Sequence, residues 1–278
     1  MSKCKIIKEI RGQKAIDGAG VHLVRVLGLN DTKAFDPFLM LDSFDSVDPS
    51  DYVKGFPMHP HRGIETITYL IEGEIEHEDS LGNKGVISSG ETQWMTSGSG
   101  ILHQEMPQKA DRMLGFQLWL NMPGREKMAE PAYLSITKDM IGTKTVGKNT
   151  IKVLSGRYKE VTGVIPKHIP ATIYDIQLTK GEEIELTVDK EETAFVFLID
   201  GDAYVEDKRV FSKTAVLFDK GDSISLLAPK DSDARIIFFS AKPLQETIAW
   251  GGPIVMNTQE ELNHAFAELN KGTFIKHN

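Results

Sequence analysis

One pattern occurs twice along this chain, and it constrains the fold more than any other feature. Leu70-Ile71-Glu72-Gly73-Glu74-Ile75-Glu76 returns as Leu198-Ile199-Asp200-Gly201-Asp202-Ala203-Tyr204, offset by 128 residues. Val86-Ile87-Ser88-Ser89-Gly90-Glu91 then resembles Val216-Leu217-Phe218-Asp219-Lys220-Gly221-Asp222, its Gly-acid pair offset by 131. Each copy reads as a strand, an acid-Gly-acid hairpin, a second strand, and a Gly-acid turn into a third. Self-similarity at this period implies two like domains. Short apolar segments rich in β-branched and aromatic residues surround the repeats, each closed by a turn signal. Residues 66–71 precede Glu72-Gly73, 116–120 precede Asn121-Met122-Pro123-Gly124, and 194–199 precede Asp200-Gly201. This pattern indicates antiparallel sandwiches or barrels and argues against βαβ units. A length of 278 residues accommodates two such domains. The polar, turn-rich segment 144–150 marks the expected boundary, giving domains 1–143 and 144–278.

The helical signal lies at the end of the chain. Thr258-Gln259-Glu260-Glu261 is a capping box, in which hydroxyl and carboxylate reciprocally satisfy free N–H groups. Leu262, Ala265, Phe266 and Leu269 follow at i, i+3, i+4 and i+7, and Gly272 stands where a helix should stop. The spacing predicts a helix over 259–270 with its apolar stripe docked on a sheet. Acidic residues outnumber basic ones, 40 to 32, for a net charge of −8. That field repels phosphate backbones and argues against direct nucleic-acid binding. Cys4 is the only cysteine, which excludes a disulfide framework and fits a reducing compartment. It sits near a terminus beside Lys3 and Lys5 and reads as incidental. No apolar run is long enough to span a bilayer, and the first residues lack the apolar stretch of a signal peptide. The expectation is a cytoplasmic monomer without a membrane segment.

The chemistry concentrates in the first half. His59-Pro60-His61 opens the main strand of the first repeat, and in an extended segment residues i and i+2 share a face. His103-Gln104-Glu105 repeats that spacing after Gly98-Ser99-Gly100. Two such pairs in one small β domain give a set of three imidazoles and one carboxylate, His59, His61, His103 and Glu105, suited to a transition metal. Glu65 competes for the carboxylate role, being four residues past His61 on the odd-numbered face. At the offset of 128, His59, His61 and Glu65 correspond to Thr187, Asp189 and Thr193. At 131, His103 and Glu105 correspond to Ala234 and Ile236. One metal site per chain follows, in the N-terminal domain. His22 reads as a half-exposed strand residue, and His77, His168, His264 and His277 as surface residues. Arg62 and Arg125 read as solvated ion pairs. Glu182-Glu183 and Glu191-Glu192 read as edge charges.

Residues 55–66, with 93–96, 100–107, 117–121 and 252–258, resemble the pirin family of the cupin superfamily. The resemblance runs over nearly the whole chain and is densest in 15–140. It implies an all-β bicupin: two antiparallel jelly-roll barrels with a C-terminal helix, the second barrel degenerate at the metal positions. It makes His59, His61, His103 and Glu105 the ligands of one mononuclear metal, Fe(II) first and other divalent transition metals after it. Glu65 matches the third ligand of ordinary cupins and is not expected to bind. The implied activity is quercetin 2,3-dioxygenase-like, with a flavonol-type aromatic substrate. At such a site Glu105 is the proton acceptor if its metal bond is loose and otherwise only sets charge and geometry. Phe56, Trp94, Gln117 and Trp119 are candidates for the cavity mouth, with barrel packing an equal reading of the two Trp residues. The alternative the family offers is a non-catalytic, iron-dependent regulator acting through a protein partner.

Overall fold

The fold is known from a computed structural model that describes residues 2–277. In chain order the first strands are β1 (Ile6–Arg11), β2 (Gln13–Asp17), β3 (Val21–Leu27), β4 (Phe38–Ser46), β5 (Phe56–His61), β6 (Ile64–Glu72), β7 (Glu74–Asp79), β8 (Lys84–Ser88), β9 (Thr92–Thr96), β10 (Ile101–Pro107), β11 (Met113–Asn121) and β12 (Ala132–Ile136). There follow β13 (Gly142–Val146), β14 (Asn149–Ser155), β15 (Arg157–Tyr158), β16 (Val161–Thr162), β17 (Thr172–Leu178), β18 (Glu183–Thr187), β19 (Thr193–Asp200), β20 (Ala203–Val205), β21 (Lys208–Val210), β22 (Thr214–Phe218), β23 (Ser223–Leu227), β24 (Ala234–Ala241), β25 (Ala249–Gly251), β26 (Ile254–Met256) and helix α1 (Gln259–Lys271).

Two compact units result. One holds Lys14–Thr32, Pro37–Thr137 and the chain from Leu244 on; the other holds the residues before Lys14, Lys33–Asp36 and Lys138–Pro243. In the first unit a seven-stranded sheet of order β12-β9-β6-β11-β4-β3-β2 accompanies a four-stranded one of order β5-β10-β7-β8. In the second the orders are β1-β22-β19-β24-β17-β14-β13 and β18-β23-β20-β21, the same plan strand for strand. The expected pair of like all-β domains with a terminal helix is therefore what the chain forms. The capping box is in place, Thr258 accepting from the Glu261 N–H at 3.2 Å, and α1 ends at Gly272 in the left-handed conformation (φ 70°).

Three details depart from the sequence reading. The segment 144–150 is the hairpin between β13 and β14, not a linker, and the chain ends join the opposite halves. The second repeat match is out of step: Val86 lies on β8, whereas Val216 lies on β22, whose counterpart by sheet order is β9. The counterpart of β10 is accordingly β23, not the β24 segment that holds Ala234 and Ile236. Alternation decides the interiors. In the second unit Ile184 and Leu186 of β18 and Ile224 and Leu226 of β23 point inward and fill a continuous apolar core that also takes in Cys4. Cys4 is thus a packed core residue rather than an incidental terminal one. In the first unit the equivalent strands β5 and β10 bring histidines inward instead. No helix among the described residues is long and apolar enough to cross a membrane.

Candidate metal centre

β5 is an edge strand, the place where Pro57 and Pro60, lacking an N–H, are tolerated. Its period-2 alternation puts His59 and His61 on one face. Neighbouring β10 runs antiparallel with His103 directly opposite His59 and Ile101 opposite His61. The three rings meet, their centroids 4.4 Å (His59–His103), 4.8 Å (His59–His61) and 5.0 Å (His61–His103) apart. One nitrogen from each gives a set lying within 4.8 Å of one another.

The hydrogen bonds of the rings fix which nitrogens face the centre. His59 Nδ1 lies 2.9 Å from the Pro57 carbonyl and His61 Nδ1 lies 3.0 Å from the Pro253 carbonyl. A carbonyl only accepts, so each Nδ1 carries a proton and each ring turns its Nε2 inward. Those two Nε2 atoms are 3.1 Å apart. His103 is fully buried, and neither of its ring nitrogens has a hydrogen-bond partner. Burial, then the neighbouring His59 imidazole, pushes His61 down to about 3. Burial, then the facing His61, His59 and His77, holds His103 well below the ordinary imidazole range. His61 and His103 are thus unprotonated near neutral pH. Three imidazole nitrogens converging on one point fit a divalent transition metal.

Glu105 follows His103 at i+2 on the same strand, but a register shift separates them, His103 facing His59 and Glu105 facing Phe56. Such a shift re-aims a side chain. The buried carboxylate accepts from Thr68 Oγ1 at 2.9 Å and from Gln117 Nε2 at 2.7 Å. It is not part of the three-imidazole set. Gln117 Oε1 in turn accepts from the Trp119 indole N–H at 3.1 Å. Glu65 is buried on β6 and accepts from Trp94 Nε1 at 3.0 Å and Thr96 Oγ1 at 2.7 Å. Trp94 is consequently turned toward Glu65 and does not line the cavity beside the histidines, which fits the packing reading of this residue and not the cavity one. That cavity, about 660 Å³, is lined by Phe56, His59, His61, Gln117, Trp119 and Trp250 among others.

Two further expectations fail. His77 is buried, with Nδ1 2.7 Å from Gln93 Nε2, Nε2 3.3 Å from Asp79 Oδ2, and its ring stacked on Tyr133 at 4.7 Å. The alternation Ile75-His77-Asp79, all inward, was the available signal. Arg62 is 1% exposed rather than solvated. It donates to Glu268 Oε2 (2.7 Å), the Ser99 carbonyl (2.7 Å) and the Phe274 carbonyl (2.9 Å), and its guanidinium lies 4.1 Å from the Phe274 ring centroid. Beside it, Lys127 Nζ donates to the carbonyls of Gly63 and Val255 and to Asn121 Oδ1. These two side chains strap the segment after Leu244 onto the turn that follows His61, which brings the Pro253 carbonyl to His61.

Fold and site together define a two-domain cupin with one three-histidine centre among its described residues. Residues 20–120 match the pirin family model and residues 173–275 match that of the pirin C-terminal cupin domain. The chain belongs to the pirin family. It is 41% identical to a pirin-like protein of Caulobacter vibrioides, over 97% of this chain and 98% of that one. Human pirin is 34% identical, over 96% and 93%. Among solved structures, a quercetin 2,3-dioxygenase from Acinetobacter baumannii aligns with a TM-score of 0.90 at 30% identity, covering 98% of this chain and 99% of that one.

Proposed function

We propose that the chain is an Fe(II)-dependent dioxygenase that opens the heterocyclic ring of a quercetin-type flavonol with O₂. The observation carrying this reading is the convergence of three imidazoles, His59 and His61 on the wall of a cavity with aromatic sides and His103 fully buried with no hydrogen-bond partner of its own. The likeness to the Acinetobacter enzyme supports it. His59, His61 and His103 would hold the metal, with Glu105 as the fourth ligand of the family pattern. When bound, the metal supplies Lewis acidity toward a phenolic hydroxyl and redox chemistry with O₂.

The chain's own groups handle the substrate. Phe56, Trp119 and Trp250 offer flat apolar surface to a bicyclic aromatic and exclude water from it. Where its bond to the metal is loose, Glu105 would take up the proton of the flavonol 3-hydroxyl, and the donors Thr68 and Gln117 hold its carboxylate in place. The Trp119 indole N–H orients the Gln117 amide so that its NH₂ faces Glu105. The net reaction takes up one O₂, places both oxygen atoms in the ring-opened ester and releases carbon monoxide.

The test is anaerobic loading with Fe(II), addition of quercetin, and admission of air. Loss of flavonol absorbance with equimolar carbon monoxide, abolished in His103→Ala, is expected. Stoichiometric iron with untouched quercetin would overturn the enzyme reading and direct attention to a protein partner.

A further inference from the structure

The cavity beside the histidines has a second polar wall. On β4, Met40, Asp42 and Phe44 line it at period 2, and Arg25 of β3 is paired across from Asp42. Arg25 Nε and Nη2 grip the two Asp42 oxygens at 2.9 and 2.7 Å, and Nη2 also reaches Asp17 Oδ2 at 2.6 Å. Asp42 is buried, only 4% exposed, yet its carboxylate faces a cavity with apolar sides. The rung continues through the sheet, Asp42 opposite Gln117 and Gln117 opposite Thr68, so it ends at the two residues that hold Glu105. A structural ion pair needs one carboxylate for one guanidinium; here two carboxylates share one. Among the described residues lining the cavity, Arg25 alone carries a permanent positive charge, and both of its bonded groups are acids.

We infer that Asp17, Arg25 and Asp42 form a specificity wall that accepts hydroxyl donors on the substrate ring lying away from its own 3-hydroxyl and rejects carboxylates there. This rests on the flavonol reading and sharpens it: the preferred substrate is a neutral aromatic with hydroxyls on that ring. A phenolic O–H finds free lone pairs on Asp42 and Asp17. A carboxylate meets two like charges and a guanidinium already engaged by both. A hydroxyl gained is a charge-assisted bond, desolvated at buried Asp42 and partly in water at exposed Asp17, whereas an added anion meets the repulsion of both carboxylates.

Three flavonols with the same 3-hydroxyl head separate the possibilities: quercetin, which carries a remote diol, unsubstituted 3-hydroxyflavone, and its 4′-carboxy derivative. Binding to the full chain is measured by calorimetry under argon, so no turnover intervenes. Quercetin is expected to bind about tenfold more tightly than 3-hydroxyflavone, and the carboxy compound about tenfold more weakly than it. Asp17→Asn, at an exposed position, should bring the carboxy compound to within about threefold of 3-hydroxyflavone. Asp42→Asn should erase the quercetin preference. Should Asp42→Asn fail to fold by circular dichroism, Asp17→Asn decides alone. Equal affinities of the wild-type chain for the three compounds, or an Asp17→Asn chain that still rejects the carboxylate, would overturn the inference. Absence of quercetin turnover with these preferences intact would sink the dioxygenase reading and leave the wall standing; turnover without preferences would do the reverse.

Discussion

The strap formed by Arg62 can be broken with a predictable cost. Arg62→Met keeps an unbranched apolar stem and removes three hydrogen bonds, one to the Glu268 carboxylate and two to the carbonyls of Ser99 and Phe274. A bond to a charged partner contributes about 1.5–3 kcal/mol and one to a neutral acceptor about 0.5–1.5 kcal/mol. The loss is therefore about 4 kcal/mol, within the range of about 3–5 kcal/mol for breaking a buried pair by removing one partner. Glu268→Gln preserves shape and an acceptor oxygen, and Arg62 keeps both carbonyls, so its cost is about 1–2 kcal/mol. At about 1.4 kcal/mol per factor of ten, Arg62→Met should raise the opening rate constant ratio of the tail by about three orders of magnitude and Glu268→Gln by about one. Hydrogen exchange by mass spectrometry reads this directly. The reporters are the Val255 N–H, bonded to the Arg62 carbonyl at 3.1 Å, and the amides of α1. Protection in the tail that is unchanged in Arg62→Met, or lost equally in both variants, would refute the reasoning. Acid provides a second check. Burial opposes ionisation of Glu268, but hydrogen bonds from Lys276 and Arg62 outweigh it and hold the carboxyl at about 2. Its stabilising contribution is complete above the unfolded carboxylate pKa of about 4.3 and disappears as pH falls through 2. Tail protection should decline over that window and do so less in Glu268→Gln.

Further outcomes follow from neighbouring groups. Burial pushes Lys127 down to about 7, against about 10.4 when unfolded, so between those values the unfolded chain binds more protons and stability should rise with pH. Denaturant midpoints from pH 7 to 10 should show that slope in the wild-type chain and lose it in Lys127→Met; equal slopes would contradict the assignment. Gly63 has φ +77°, and a Cβ there would lie 2.0 Å from the Val255 carbonyl oxygen. Gly63→Ala should displace the tail from the turn after His61 and lower metal affinity about tenfold or more through lost support of that ring, read by competition with a chelating dye. Burial, then Asp219 and Glu206, raises the Cys4 thiol, so it should resist an aromatic disulfide reagent in the native chain and react once denaturant is added. Rapid native reaction would count against its place in the core.

The histidines were legible because their spacing is local. An i, i+2 pair in an extended strand needs no tertiary knowledge to share a face, and two such pairs suffice to suggest convergence. What completes the site was not legible, because it arrives from far along the chain: the Pro253 carbonyl reaches His61 across 192 positions. Nothing near Arg62 distinguishes a buried guanidinium from a solvated one until Phe274 and Glu268 return to cover it. Glu105 was visible as a strand-mate of His103, but the register shift between them is a property of the pairing with β5, not of the His-x-Glu pattern. Trp94 left two readings open, cavity mouth or packing, and the residue that decides between them is Glu65, which claims its N–H from another strand. The repeat revealed two like domains correctly, yet a Gly-acid turn recurs often enough in β proteins to pair β8 with β22. Sheet order, which sequence does not carry, restored the match of β9 with β22 and β10 with β23.

A single metal held by His59, His61 and His103 is tested most directly by metal content, measured by plasma mass spectrometry on the chelator-stripped protein refilled with Fe(II) under argon and desalted. One equivalent is expected in the wild-type chain, and in His103→Ala an unchanged circular-dichroism spectrum with metal below about a tenth of an equivalent. Full occupancy retained by a folded His103→Ala chain, or no retained metal in the wild type, would contradict that site.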